Sequence, residues 1–178
     1  MKIEISKMTL KELAGFITEK LKEHGIDCIL VGGACVTIYS KNKYHSYDLD
    51  FVTYEDFSKV QNVLKGNGFQ KEGRYFVYKG CEYFIDFVSS PVAISRDLVK
   101  KFTSLKTPYG KIILLTAHDC VKDRLSSYFH WDDLQALDQA ELVYKQNANS
   151  INLKNLEKWA KRERKEEKFH RFKENIKV

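Results

Sequence analysis

Apolar positions recur along this chain with two periods, and the switches between them outline its elements. Leu10, Leu13, Ala14, Ile17 and Leu21 fall at helical spacing behind Thr9 and Glu12, a capping box, so a first helix is predicted that ends at Gly25. The unbroken apolar run Ile26–Val31, bounded by Gly25 and Gly32, predicts a buried strand. Gly32 and Gly33 end it and open a short helix reaching about Ser40, and a second run, Asp48–Val52, predicts another strand. Phe57, Val60, Val63 and Leu64 predict a helix stopped by Gly66 and Gly68. Phe69–Lys71, Tyr75–Lys79 and Cys81–Val88 then read as strands turning at Gly73 and Gly80.

The second half becomes helical. Ser89–Leu98, with Pro91, is expected to be irregular, and Phe102–Thr107 with Lys111–Leu115 flank a turn at Pro108, Tyr109 and Gly110. Thr116 and Asp119 cap a helix running to about Phe129. Another is expected from Trp131 to about Tyr144, with Leu134, Leu137, Ala140 (or Glu141) and Tyr144 on one face. A last amphipathic helix is expected over Asn149–Lys168, its charged end from Arg162 solvated and fraying. The expected class is α/β (α+β): a mixed sheet with helices packed on it, followed by C-terminal helices. The division is a core over residues 1–115 and a helical region with a basic tail over 116–178.

Composition changes little except through charge. A 43% hydrophobic content supports a proper core, and 2 Pro with 9 Gly argue against low complexity. Net charge is +6, yet residues 151–178 hold 10 Lys/Arg and 5 Asp/Glu, leaving 20 against 19 elsewhere. The basicity therefore belongs to the tail, which is either a phosphate-binding helix or an ordinary solvated one. Phe169 and Phe172, interleaved with His170, Arg171 and Lys173, either stack on RNA or pack back on the body. Cys28, Cys35, Cys81 and Cys120 form no metal-binding spacing and suit free thiols in a reducing cytoplasm. No apolar run is long enough to span a membrane, and Met1–Lys7 lack the apolar core of a signal peptide.

The candidate chemistry sits in the first third of the chain. Asp48 and Asp50 share one face of their strand, roughly 6.5–7 Å apart along it. Two carboxylates so placed repel each other, and a hard divalent cation, Mg2+ or Mn2+, would relieve them. Asp86 lies among apolar neighbours in a later strand and offers a third carboxylate. Glycines at 32 and 33 let the backbone approach a phosphate, and the helix they open presents free N–H groups. Lys43 on the following loop is a candidate phosphate contact, and Ser46 a candidate hydroxyl contact to phosphate or sugar.

Gly32-Gly33, a helix, Asp48-Leu49-Asp50-Phe51 and a later strand with one Asp together resemble the nucleotidyltransferase superfamily, the DNA polymerase β-like fold. The likeness covers roughly residues 10–145 and is nearest the small bacterial members, both minimal and toxin-like. The 14-residue spacer Ala34–Tyr47 is slightly long for that pattern, so an extra loop is expected at Lys41–His45. The resemblance implies transfer of an NMP from an NTP, ATP among them, to a hydroxyl on RNA or tRNA, a protein or a small molecule. Asp48, Asp50 and Asp86 would bind Mg2+ (or Mn2+) and act catalytically, while Gly32 and Gly33 hold phosphates. It also implies a Lys and an Asp on later helices, matched here by Lys122 and Asp133. The basic tail favours RNA as acceptor. Two alternatives remain: an idle module of this fold that binds a protein partner, as in a toxin–antitoxin pair, and a structural domain whose aspartates are merely solvated.

Overall fold

The computed structural model describes residues 4–177, so the first three of the seven N-terminal residues read for a signal core lie outside it. A 3-10 turn, Ile5–Lys7, leads into α1, Leu10–Lys22. The capping box forms in full: Thr9 Oγ1 accepts the Glu12 N–H, and the Glu12 carboxylate accepts the Thr9 N–H at 2.9 Å. Next come β1, Cys28–Val31; α2, Gly32–Tyr39; β2, Asp48–Thr53; and α3, Phe57–Gly66. Three short strands follow: β3, Gln70–Glu72; β4, Tyr75–Val77; and β5, Phe84–Val88. The stretch expected to be irregular instead forms a small hairpin, β6 (Ala93–Ile94) with β7 (Asp97–Leu98). Val92 and Ile94 are buried, and that apolar anchorage orders the segment. Strands β8, Phe102–Thr107, and β9, Gly110–Leu115, make the predicted hairpin.

The seven-stranded sheet runs β3-β4-β5-β2-β1-β9-β8. It is mixed: β1 pairs antiparallel with β2 and parallel with β9, and β2 pairs parallel with β5. Side-chain alternation sorts its two faces. Leu49 and Phe51 are fully buried, and Phe51, Phe87, Phe76 and Phe57 form a chain of ring contacts 5.7–6.2 Å apart that packs α3 on their side. Asp48 and Asp50 point to the other face. There α4, Ala117–Trp131, brings Asp123 and Arg124 to a cavity shared with Asp50.

The C-terminal part differs from expectation in three ways. Helix α5 spans Leu134–Asn147 rather than starting at Trp131, because Asp132 takes a left-handed conformation (φ 54°) that ends α4. The buried face of α5 is Ala136, Leu137, Ala140 and Val143, while Leu134 stays exposed. The single last helix is two: α6, Leu153–Arg162, and α7, Glu166–Ile176, separated by Arg164 at φ 58°. The break turns the chain so that Phe169 and Phe172 are buried, with Phe172 edge-on to Tyr144 at 6.0 Å. These two rings pack on the body and cannot stack on RNA. Much of the tail's charge is also used internally. Lys168 donates to the Tyr128 and Phe129 carbonyls at the end of α4, and pairs with Asp132 at 2.7 Å. Lys173 pairs with Glu157, and Arg162 with Asp97.

Candidate active site

Parallel pairing of β2 with β5 sets Asp50 directly opposite Asp86, and Asp48 opposite Phe84. Partners in a parallel ladder share a face, so the three aspartates meet on one side of two adjacent strands. Asp48 is exposed, Asp50 half-buried and Asp86 buried. Burial raises the Asp50 pKa from 3.8 to about 6, and repulsion from Asp48 and Asp86 adds to it. Asp86 is better supplied. Its Oδ1 accepts the Phe87 N–H at 2.9 Å, and its Oδ2 pairs with Arg74 at 3.0 Å. Among the described residues no three His, Cys, Asp or Glu side chains already stand close enough to hold a metal ion. The donor set nevertheless suits one: oxygen-only ligands, with Asp50 pushed towards its neutral form by burial and by two like charges that a cation would offset.

The diglycine abuts these acids. Gly32 sits at φ 67°, and a Cβ there would lie 2.6 Å from Asp50 Oδ2. A Cβ on Gly33 would meet Ser46 Oγ at 3.0 Å. The bend that starts α2 is therefore packed on the acidic strand and its entry loop. Ser46 is spent on that loop: its hydroxyl donates to the Asp48 carbonyl at 3.0 Å and accepts the Asp48 N–H at 3.3 Å. Its own N–H donates to Thr37 Oγ1. The expected extra loop is present, with Lys41 and Asn42 both left-handed and Lys43 exposed upon it.

Two expected residues lie elsewhere. Lys122 pairs with Asp97 at 2.7 Å and covers the Trp159 ring at 5.2 Å, in a separate cavity between α4 and α6. Successive helical residues turn by about 100°, so the side chains that reach the acidic cavity are those of Asp123 and Arg124. Asp133 is the N-cap of α5, accepting the Ala136 N–H at 3.0 Å, a role set by the end of α4 at left-handed Asp132. Sequence reasoning passed over Arg74, Asp123 and Arg124. The last two form a pair at 2.5 Å, and Arg124 also donates to Gln139 Oε1 at 3.3 Å. The cavity shared by Gly32, Asp50, Asp123 and Arg124 measures about 190 Å3. A larger one of about 650 Å3 borders Ser46 and Tyr47 but none of the three aspartates, so size alone does not mark the site.

The raised Asp50 pKa carries a stability consequence. The folded protein holds this proton up to about pH 6, whereas the unfolded chain loses it near pH 4. Folding therefore binds a proton in that window, and Asp50's contribution, full at low pH, is lost as pH rises through it. Asp50→Asn should be stabilising at pH 7–8 by about 1–2 kcal/mol, after discounting for partial exposure, which is several degrees in Tm. The gain should vanish below about pH 4. Thermal melts of both proteins across pH check this, and equal melting at pH 8 would contradict it.

Residues 9–68 match the family described as "Nucleotidyl transferase of unknown function (DUF2204)". No curated protein matches the chain in sequence. Among solved structures it is similar to an antigenic nucleotidyltransferase-like protein from Paracoccidioides brasiliensis (TM-score 0.60, 17% identity, 75% of this chain and 74% of that one). It is also similar to the antibiotic-resistance factor ANT(2'')-Ia in solution (TM-score 0.55, 11% identity, 91% and 95%). The same factor in complex with adenylyl-2''-tobramycin matches at TM-score 0.51 and 12% identity, over 80% and 89%. No helix of the described residues is long and apolar enough to cross a membrane. With its mixed sheet, its diglycine bend and these neighbours, the chain carries the nucleotidyltransferase fold.

Proposed function

We propose that this protein transfers a nucleoside monophosphate from an NTP to a hydroxyl acceptor with divalent-metal help. The observation that carries the reading is the Asp50–Asp86 register beside Gly32. Asp48, Asp50 and Asp86 would hold Mg2+ or Mn2+. Such ions, when bound, supply positive charge at the attacking and leaving oxygens of an in-line displacement. The backbone N–H groups opening α2 face the β- and γ-phosphates, where the absence of a side chain at Gly32 and Gly33 allows close approach. Lys43, exposed on the spacer loop, adds charge to the same phosphates.

The acceptor hydroxyl oxygen bonds to the α-phosphorus as the bond to the β-phosphate oxygen breaks, and pyrophosphate leaves. Asp86 takes the hydroxyl proton. Arg124, held by Asp123 and Gln139, presents a fixed cation to the cavity and steadies the charge near Asp50. The neighbour solved with adenylyl-2''-tobramycin supports adenylyl transfer as the test case. Incubation with each labelled NTP, Mg2+ and either total RNA or small-molecule extract should label one acceptor class. No labelled product in any combination would reject the reading.

The Arg74–Asp86 pair favours a second reading, an idle module with an internal counter-ion in place of metal that binds a protein partner, as in a toxin–antitoxin pair. Calorimetry separates the two: a transferase binds NTP in a Mg2+-dependent way, an idle module does not.

A further inference from the structure

We propose that Arg74, Tyr75 and Phe84 form a platform that binds the acceptor, and that it fits the 3′-terminal nucleotide of a single-stranded RNA. The inference rests on the transferase reading above and names its acceptor class.

The sheet register builds this surface. Phe76 pairs with Ile85 in the antiparallel β4–β5 ladder, so Tyr75 falls opposite Asp86. Phe84 stands beside Asp48. Both rings therefore share the face of the three aspartates. They contact each other, tilted at 58° with centroids 5.7 Å apart. The Arg74 guanidinium lies 4.8 Å from the Tyr75 ring centre while one of its nitrogens reaches Asp86. Phe84 is 42% exposed and the Arg74 side chain 67% exposed. Tyr47, 57% exposed, adjoins them, its carbonyl accepting the Phe84 N–H at 2.8 Å. Lone exposed aromatics need no explanation, but rings gathered around one arginine at the edge of an acidic site do.

The geometry of transfer decides which substrate meets this surface. The diglycine and the start of α2 follow β1, on one side of Asp50, and there the pyrophosphate departs. An in-line attack must come from the opposite side, which is that of β5 and β4. Rings there stack on a planar base, and an arginine among them pairs with a backbone phosphate. The same arginine opposes a polycationic acceptor of the tobramycin kind. A single strand end supplies a base, a phosphate and a terminal hydroxyl together.

Fluorescence anisotropy of a short labelled single-stranded RNA, titrated with the full chain in EDTA without NTP, tests binding apart from chemistry. Phe84→Ala and Arg74→Ala should each weaken binding by about tenfold or more, and an RNA lacking its 3′-terminal base should bind the wild type about as weakly. Asp50→Ala should bind like wild type, so loss of transfer and loss of the platform stay distinguishable. Thermal melts confirm that each variant is folded. Tyr75→Leu provides a second ring deletion should Phe84→Ala fail to fold. Wild-type affinity in the folded Phe84→Ala and Arg74→Ala proteins would overturn the proposal. So would tight binding of tobramycin that improves in Arg74→Ala.

Discussion

Asp50→Ala should lower NMP transfer by on the order of a thousandfold or more, without loss of fold. Asp50 stands between Asp48 on its own strand and Asp86 on the next, so it is the one carboxylate placed to contact cations held by either neighbour. Burial makes its side chain costly to ionise, with a pKa raised to about 6. Removing it relieves repulsion, and the variant should melt no lower than wild type at neutral pH. Millimolar Mg2+ with NTP should raise the melting temperature of the wild type and leave that of Asp50→Ala unmoved. The measurements are initial rates under saturating NTP and paired thermal melts. A correctly folded Asp50→Ala protein with undiminished transfer would remove these aspartates from the chemistry.

Gly32→Ala should be nearly as damaging, by a different route. The left-handed backbone at φ 67° costs a residue with a Cβ about 1–2 kcal/mol. The added methyl would also collide with Asp50 Oδ2 at 2.6 Å, so the carboxylate must move. Transfer should fall by about a hundredfold, with a lowered Tm. Gly33→Ala is the control. Its backbone is not left-handed, and its methyl would meet the Ser46 hydroxyl at 3.0 Å, so the loss should be smaller. Because Gly32 packs on Asp50, combining Gly32→Ala with Asp50→Ala should cost less than the sum of the two separate losses. Fully additive losses, or a wild-type rate in Gly32→Ala, would show that the bend does not set the carboxylate.

The elements were legible in the sequence wherever the signal was local. The Thr9–Glu12 capping box, the Thr116 cap and the turn before Gly110 appear where their residues predict them. The last helix was misread because the charge run after Arg162 hides a left-handed break at Arg164, and because Phe169 and Phe172 acquire their burial from the packing of α7 on α4, α5 and α6. Lys122 and Asp133 were placed by family likeness. Their contacts, an ion pair with Asp97 and a helix cap, depend on neighbours that no spacing reveals.

By itself the sequence determined that Asp48 and Asp50 lie on one strand face behind a diglycine bend, since strand periodicity and glycine's conformational freedom are properties of a few adjacent residues. Only the tertiary structure decided that Asp86 faces Asp50, that Arg74 reaches Asp86, and that α4 turns Asp123 and Arg124 rather than Lys122 to the cavity. Those outcomes follow from the registers of β5 with β2 and with β4, the former pairing residues 36 apart in the chain, and from the rotation of a helix against the sheet. Packing of the whole core sets both, and a one-residue slip in either would point different side chains at the same space.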